Sequence, residues 1–283
     1  MNKLQQLLTD NKDIRSITDG LQEGLKEQLL AGLTGSSRSL FMAALYEQTN
    51  RPLLVVVPNL LHAQKVYEDL TSILNKNKVF LFPANELIAA ELSIASPELR
   101  TQRIETLNYL ATEGKGGVII APISGIKKVL PPRSVWKESL IEWNVGDDLN
   151  IESVLENLIS LGYSRTDMVS TPGEFSLRGG ILDIYPLTEE NPFRIELFDT
   201  EIDSIRIFSA EDQKSLQKVK RAFISPVNEI ILNKGNVAQI AENLEAGLSQ
   251  SLKRIKNADA QQRMVQLIGH EIEMLRSGNK FDH

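Results

Sequence analysis

The sequence predicts an α/β fold made of three parts. Residues 1–130 are predicted to form a parallel-sheet domain, and residues 131–208 an inserted α+β domain with an antiparallel sheet. Residues 209–283 are predicted to form a mostly helical segment that packs on the first domain. In the first part, three apolar runs alternate with helical patterns, which is typical of a parallel sheet covered by helices. The middle part alternates apolar and polar residues between Pro and Gly turns, which indicates antiparallel strands. The last part has helical spacing.

Helices and strands alternate along the first part. Helical spacing is present in LQQLL at residues 4–8 and in LQEGLKEQLL at residues 21–30, where the leucines share one face. The three predicted strands are LLVVV, VFLFP and VIIAP. The helices that separate them are LLHAQKVYEDLTSILN and SPELRTQRIETLNYLATE.

The double proline Pro131-Pro132 marks a domain boundary. After it, SVWKESLIEWNV at residues 134–145 predicts a strand, and DDLNIESVLENLISLGY predicts a helix that Gly162 closes. Short strands with tight turns fill the stretch from Gly162 to Phe208. Beyond Phe208, SAEDQKSLQKV is predicted to be helical and RAFISPVNEIIL to be a strand, and two long helices follow.

Negative charge is concentrated in the middle part of the chain. Residues 131–208 carry fifteen Asp and Glu against six Lys and Arg, a net charge of −9, whereas the whole chain carries −6. An acidic domain repels the phosphates of nucleic acids. A protein is therefore a better expected partner for this domain than DNA.

Composition also restricts the cellular location. No apolar run reaches the roughly 18 residues that a transmembrane helix needs, and the start of the sequence lacks the pattern of a signal peptide. The chain has no cysteine, so it has no disulfides and no thiolate metal ligands. We therefore expect a cytoplasmic protein without membrane contact.

The most enzyme-like stretch is GLTGSSRS at residues 32–39, which has the spacing of a phosphate loop, G-x-x-x-x-G-K-[ST]. Gly32, Gly35 and Ser39 fit such a loop, but Ser37 replaces its second conserved glycine and Arg38 replaces its lysine. Serine restricts the backbone, and a planar guanidinium is not equivalent to an ammonium. We expect a relic loop within a degenerate motor-like domain, where a sulfate or phosphate could still bind at the helix N-terminus.

Other catalytic patterns are missing from the sequence. Neither VFLFPANE nor VIIAPIS contains the acidic pair that holds magnesium in nucleotide hydrolases, and we interpret Asn85-Glu86 as part of a loop. The three histidines lack the spacing of a zinc site. The sequence therefore predicts no catalytic residue, no metal site and no cofactor.

Polar residues that folding does not require lie within the predicted antiparallel sheet: Arg165, Arg178, Arg194 and Glu196. An antiparallel sheet can keep one face in water, so such residues can form a docking surface. The simpler alternative is that each occupies an ordinary solvated strand position.

The same stretch carries a long signature: GYxRxD from Gly162, PGEFSxRGGIxDIxP from Pro172 and RxELFDxE from Arg194. It is similar to the second domain of the excision-repair protein UvrB and resembles more closely the amino-terminal, UvrB-like region of the transcription-repair coupling factor (Mfd) family. GLTGSSRS, LLVVVPN and SPELRTQRIETL also resemble that family. The resemblance implies that the three parts correspond to UvrB domains 1a, 2 and 1b, and that the chain is the amino-terminal part of a larger ATP-dependent DNA translocase.

In that family the second domain is the docking site for UvrA. The resemblance assigns Arg165, Arg178 and Glu196 to this interface, and we expect their neighbours Arg194, Phe175 and Tyr185 to belong to it as well. Ser176 stands where UvrB has a basic residue, so one UvrB contact is not reproduced. Other domains of the same protein are further implied partners, whereas RNA polymerase and DNA would bind only through parts outside this chain.

The sequence therefore predicts a non-catalytic module that recruits UvrA to a stalled transcription complex by mimicking UvrB. Two alternatives belong to other functional classes. An ATP-dependent DNA-remodelling enzyme would use residues 32–39, and a DNA-binding module would use the basic residues outside residues 131–208.

Overall fold

A computed structural model describes residues 11–84, 96–112, 116–127, 130–229, 231 and 237–277. The chain divides into two compact units, Met1–Glu138 and Ser139–His283. The predicted boundary at residue 131 lies close to this division. The predicted packing of residues 209–283 on the first domain stays a prediction.

The first unit contains a three-stranded parallel sheet with the strand order β1-β3-β2. Its elements are α1 (Lys12–Gln22), α2 (Ser37–Thr49), β1 (Leu53–Val57), α3 (Leu60–Ile73), β2 (Val79–Leu81), α4 (Pro97–Thr112), β3 (Val118–Pro122) and α5 (Arg133–Glu138). The three predicted apolar runs are these three strands, which confirms the predicted parallel sheet.

Helices cover this sheet unequally. On one face, Ala63 and Leu70 of α3 are fully buried against β2 and β3. On the other, the ring of Phe80 in β2 stacks on Tyr109 of α4 with centroids 4.1 Å apart. Leu54 of β1 is 60% exposed, because β1 is an edge strand and no helix among the described residues of this unit covers it on that side. The expectation that apolar strands are buried on both faces is therefore wrong for β1.

The first helix of the described chain lies earlier than predicted. Helix α1 begins after Asn11, whose side-chain oxygen accepts a hydrogen bond from the backbone N–H of Asp13 at 2.8 Å. The helix ends at Gln22, and Gly24, two residues further on, has a φ of +85°. The helix predicted over residues 21–30 is therefore wrong, and Leu29 of that segment is 92% exposed. The helix predicted over residues 4–8 and the pair Asn85-Glu86 lie outside the described residues.

The second unit contains a six-stranded sheet with the order β10-β9-β8-β7-β6-β5 and a separate two-stranded sheet of β11 and β4. Its elements are β4 (Ile141–Asn144), α6 (Ile151–Ser160), β5 (Ser164–Arg165), β6 (Glu174–Arg178), β7 (Ile181–Ile184), β8 (Phe193–Phe198), β9 (Glu201–Phe208), β10 (Ser215–Val219), β11 (Arg221–Ile224), α7 (Val237–Arg254) and α8 (Ala258–Ser277). Strands β6 to β10 pair antiparallel with one another, as predicted for the stretch up to Phe208. The short strand β5 lies in the same stretch but pairs in parallel with β6, so the antiparallel prediction is wrong there.

The core of the second unit lies on one face of the six-stranded sheet. That core face carries the aligned residues Phe175, Ile184 and Phe193, and the next aligned row of Leu177, Leu182, Ile195 and Ile205. Helix α6 contributes Leu158 to the same core. Because side chains alternate along a strand, the opposite face, here called the outer face, carries the polar residues of these strands.

Two predictions of secondary structure in this region are wrong. Residues 215–219 form β10 and not a helix, because their backbone pairs with the edge strand β9 although their side chains are mostly exposed. Residues 133–138 form α5 and not a strand. Trp136 of α5 is buried, and its indole N–H donates to Asn108 of α4 at 3.0 Å, which requires the helical turn. The six-stranded sheet thus extends past residue 208, where the inserted domain was predicted to end.

None of the helices in the described ranges is long and apolar enough to cross a membrane. The same ranges contain no group of three or more His, Asp or Glu side chains positioned to hold a metal ion.

Candidate protein-docking surface

The predicted site residues fall on neighbouring strands of the six-stranded sheet, but the register separates them. Arg178 of β6, Ile181 of β7 and Glu196 of β8 form one row across the outer face. Arg165 of β5 pairs with Phe175, which belongs to the core face. The sheet therefore places Arg178 and Glu196 in one row on the outer face. Arg165 lies at the β5 edge of the sheet, in register with a residue of the core face.

Arg165 is the most available of the predicted residues. Its side chain is exposed, and across the described ranges it makes no ion pair and no side-chain hydrogen bond. Tyr163, two residues earlier, holds the start of β5 in place, since its hydroxyl donates to the backbone oxygen of Ser225 at 2.8 Å. An anchored strand thus presents a free guanidinium.

The loop between β5 and β6 is organised by one carboxylate. Glu174 Oε2 accepts hydrogen bonds from the backbone N–H groups of Ser170 and Thr171 at 2.8 and 2.9 Å. Partial burial opposes ionisation, but these hydrogen bonds outweigh it and lower the pKa of Glu174 below its ordinary value. The ionised Glu174 therefore fixes the loop that connects Arg165 to β6.

A buried carboxylate lies below the polar residues of the outer face. Asp183 of β7 is only 1% exposed, and Arg194 binds it with two N–H groups, from Nε to Oδ1 at 2.8 Å and from Nη2 to Oδ2 at 2.9 Å. Arg178 donates a third hydrogen bond, from Nη2 to Oδ2 at 3.1 Å. The two arginines thus neutralise one buried charge and leave a net positive charge at the surface.

Arg194 is held from several directions. Its guanidinium carbon lies 4.3 Å from the centroid of the Phe208 ring, and its Nη2 donates to Oε1 of Gln213 at 3.1 Å. Hydrogen bonds to Asp183 raise its pKa above the ordinary arginine value, despite partial desolvation. Only 21% of its side chain is exposed, against 53% for Arg178. Arg194 is therefore a supporting residue of the surface more than a contact residue.

Glu196 is paired within the same face. Its Oε2 accepts hydrogen bonds from Arg206 at 2.8 Å and from the hydroxyl of Ser204 at 2.6 Å. The side chains of Glu196 and Arg206 are 29% and 31% exposed, so both ends of the pair reach the surface. Glu196 thus presents a carboxylate edge in the row that it shares with Arg178, with Ile181 between them.

Phe175 does not belong to the contact set. Its side chain is completely buried on the core face, so it offers no surface to a partner, and the prediction that it contacts one is wrong. Tyr185 is half-buried, and its hydroxyl donates to the backbone oxygen of Glu190 at 2.7 Å. Ser176, at the position where UvrB has a basic residue, is buried and donates to the backbone oxygen of Asp167 at 2.9 Å.

Two exposed apolar residues near this row were not identified from the sequence. Phe198 at the end of β8 is 80% exposed, and Ile181 is 37% exposed between Arg178 and Glu196. The signal that could have found Phe198 is the tight turn that follows it, where Asp199 has a φ of +57° and the strand ends in solvent. Asp183 was also missed, because its burial depends on the neighbouring strands.

In the predicted phosphate loop, the polar side chains make hydrogen bonds to other groups of the chain. Ser37 Oγ donates to the backbone oxygen of Thr34 at 2.6 Å, and Arg38 Nε donates to the backbone oxygen of Leu33 at 3.1 Å. The buried hydroxyl of Ser39 donates to Asp69 of α3 at 2.9 Å. Gly32 and Gly35 have φ values of +87° and +53°, which glycine adopts without strain.

This loop follows irregular chain and not a strand within the described residues before it. Its motor-like origin and the binding of a sulfate or phosphate there stay predictions.

Comparison with known proteins finds relatives for nearly the whole chain and a domain family for the region of the six-stranded sheet. Residues 141–230 match the UvrB interaction domain family, and this range includes the whole six-stranded sheet. Over 279 residues, which are 98% of the chain, the sequence is 48% identical to the transcription-repair-coupling factor of Bacillus subtilis. Over 232 residues it is 38% identical to the transcription-repair-coupling factor of Staphylococcus aureus strain USA300.

The matched region covers only part of these relatives. The aligned residues span 24% of the Bacillus protein and 20% of the Staphylococcus protein. The predicted resemblance is confirmed over nearly the whole chain. Over nearly its whole length the chain is therefore similar to the amino-terminal, UvrB-like region of the transcription-repair-coupling factors, and its residues 141–230 match the UvrB interaction domain.

Proposed function

We propose that the outer face and the β5 edge of the second unit are a docking surface for UvrA. The chain would then act as a recruitment module that links stalled transcription to excision repair. The observation that carries the proposal is the exposed Arg165, whose guanidinium is used by no carboxylate of the described chain. A planar arginine fork binds carboxylates with two parallel hydrogen bonds, so it suits an acidic partner surface.

The second support is the composition of the row on the outer face. Arg178 has a half-exposed guanidinium and Glu196 a partly exposed carboxylate, and the two are separated by the apolar Ile181. Exposed arginines and aromatic residues are enriched among residues that dominate binding energies. A partner that contacts both Arg165 and Arg178 must reach around the edge formed by β5 and β6.

The test is the affinity of UvrA for the wild-type chain and for the double variant Arg165→Ala/Arg178→Ala. A loss of about 2 kcal/mol or more is expected of central interface arginines. The matched control removes two positive charges elsewhere in the same unit, with Lys214→Ala/Arg221→Ala, whose side chains are 79% and 74% exposed. Unchanged affinity in the first variant, or an equal loss in the control, would remove the proposed surface.

The activity of the larger relatives is also a proposal for this chain. We propose that DNA translocation and the binding of RNA polymerase reside in segments of these proteins outside the matched region, since that region covers about a quarter of their length. Within the chain, the internal hydrogen bonds of Arg38 and Ser39 support a non-catalytic role for residues 32–39. Intracellular action without membrane contact is part of the same proposal.

A further inference from the structure

Asp183 is a buried carboxylate whose charge depends on neighbouring arginines for its partners. It is 1% exposed, on the outer face of β7, and both of its oxygens accept hydrogen bonds from guanidinium groups. A buried carboxylate without such partners would cost several kcal/mol. The surrounding arginines are therefore required by Asp183, and Asp183 in turn fixes where they lie.

The two arginines use Asp183 differently. Arg194 binds both oxygens, at 2.8 and 2.9 Å, and it is further held by the Phe208 ring and Gln213. Arg178 binds only Oδ2, at 3.1 Å, and more than half of its side chain is exposed. Arg194 alone can therefore keep the carboxylate paired, so Arg178 can leave Asp183 without stranding a buried charge.

We propose that Asp183 is a positioning residue for the docking surface: it holds the guanidinium of Arg178 in place through one hydrogen bond, which leaves the other N–H groups of Arg178 for a partner carboxylate, while Arg194 neutralises Asp183. This inference rests on the proposed function, because it assumes that Arg178 meets an acidic group of UvrA. The benefit is preorganisation, since an arginine that is already ordered loses less conformational freedom on binding. Asp183 itself does not touch the partner.

The first experiment is a double-mutant cycle that measures UvrA affinity for the wild-type chain, Asp183→Asn, Arg178→Ala and the combination. Asp183→Asn is expected to weaken binding about three- to tenfold, the range that corresponds to the ordering of one flexible side chain. In the Arg178→Ala background, the same substitution is expected to have no further effect. A purely structural role of Asp183 would weaken binding equally in both backgrounds, which would overturn the proposal.

The second experiment does not depend on the folding of a variant or on UvrA. Nitrogen-15 spectra of the arginine side chains in the wild-type chain report how freely each guanidinium rotates, and through-bond correlation of each side chain with its own backbone amide assigns the signals. Restricted rotation is expected for Arg194 and, to a smaller degree, for Arg178, with free rotation for Arg165. Free rotation of Arg178 would overturn the proposal.

The outcomes separate the two proposals. If UvrA fails to bind the wild-type chain, the proposed function is wrong, and the spectra still decide whether Asp183 orders Arg178. If UvrA binds and the cycle shows no coupling between Asp183 and Arg178, only the positioning role is wrong.

Discussion

The hydroxyl of Tyr163 donates a hydrogen bond to the backbone oxygen of Ser225 across 2.8 Å, and the side chain of Tyr163 is completely buried. This contact joins the chain after α6 to the chain after β11, 62 residues apart. Burial raises the pKa of Tyr163 far above the ordinary tyrosine value, so the hydroxyl remains a donor at any physiological pH. It is therefore a permanent link that holds the start of β5, and with it Arg165.

Tyr163→Phe is expected to lower the free energy of unfolding by about 1–3 kcal/mol, because it leaves a buried carbonyl without its donor. The measurement is urea denaturation followed by circular dichroism. Tyr185→Phe is the matched control, since the hydroxyl of Tyr185 also donates to a backbone oxygen but lies in an exposed place. Equal losses in the two variants would contradict the assigned role of Tyr163.

Phe198→Ser is expected to weaken UvrA binding about tenfold, because an aromatic side chain next to interface arginines contributes binding energy once it is desolvated. Phe198 is 80% exposed in the free chain, so the free energy of unfolding should change by no more than about 0.5 kcal/mol. Leu216→Ser at the far edge of the sheet removes another exposed apolar side chain and should leave the affinity unchanged. Binding that is insensitive to Phe198→Ser would limit the docking surface to its charged residues.

Glu174→Gln is expected to destabilise the second unit in a pH-dependent way. The pKa of Glu174 is lowered in the folded chain, so its contribution is present above the unfolded value, near 4.5, and is lost as the pH falls through the lower folded value. Wild type should therefore be more stable than Glu174→Gln at pH 7, and the difference should shrink towards pH 3. Urea midpoints at several pH values test this.

The control for that experiment is Glu211→Gln, which changes an exposed carboxylate in the turn before β10. A stability difference between wild type and Glu174→Gln that stays constant from pH 7 to pH 3 would show that the hydrogen bonds to Ser170 and Thr171 do not depend on ionisation.

Labelled ATP with magnesium is expected to show no saturable binding to residues 32–39 at micromolar concentration. The hydroxyl of Ser39 already donates a hydrogen bond to the carboxylate of Asp69, and Nε of Arg38 donates one to the backbone oxygen of Leu33. Equilibrium dialysis of the wild-type chain and of Arg38→Ala provides the measurement. Micromolar binding that Arg38→Ala abolishes would favour the alternative of an ATP-dependent enzyme.

Much of the second unit could be predicted from the sequence, because its local signals agree. Pro172-Gly173 and Gly179-Gly180 separate strands whose alternating residues bury one face, and the structure has β6 and β7 at those places. Gly162 adopts a φ of +95° at the end of α6, as a helix-closing glycine should. Where such local signals were lacking, the prediction failed: residues 215–219 have no apolar alternation, and their strand exists only because β9 offers an unpaired edge.

The sequence by itself predicted the resemblance to the transcription-repair coupling factors, the three strands of the parallel sheet and the strands between Gly162 and Phe208, and it singled out Arg165 and Arg178 as candidate contact residues. Only the tertiary structure decided which polar residues are free and which are already used. Alternation places Asp183 and Ile184 on opposite faces of β7, but only the register, which pairs Phe175 with Ile184, shows that Phe175 and Asp183 face opposite sides, and only the packing shows that both are buried. Burial and ion pairing depend on strand register and on the segment that covers each face, as with Arg194, which reaches Asp183 from the neighbouring strand and is held there by Gln213.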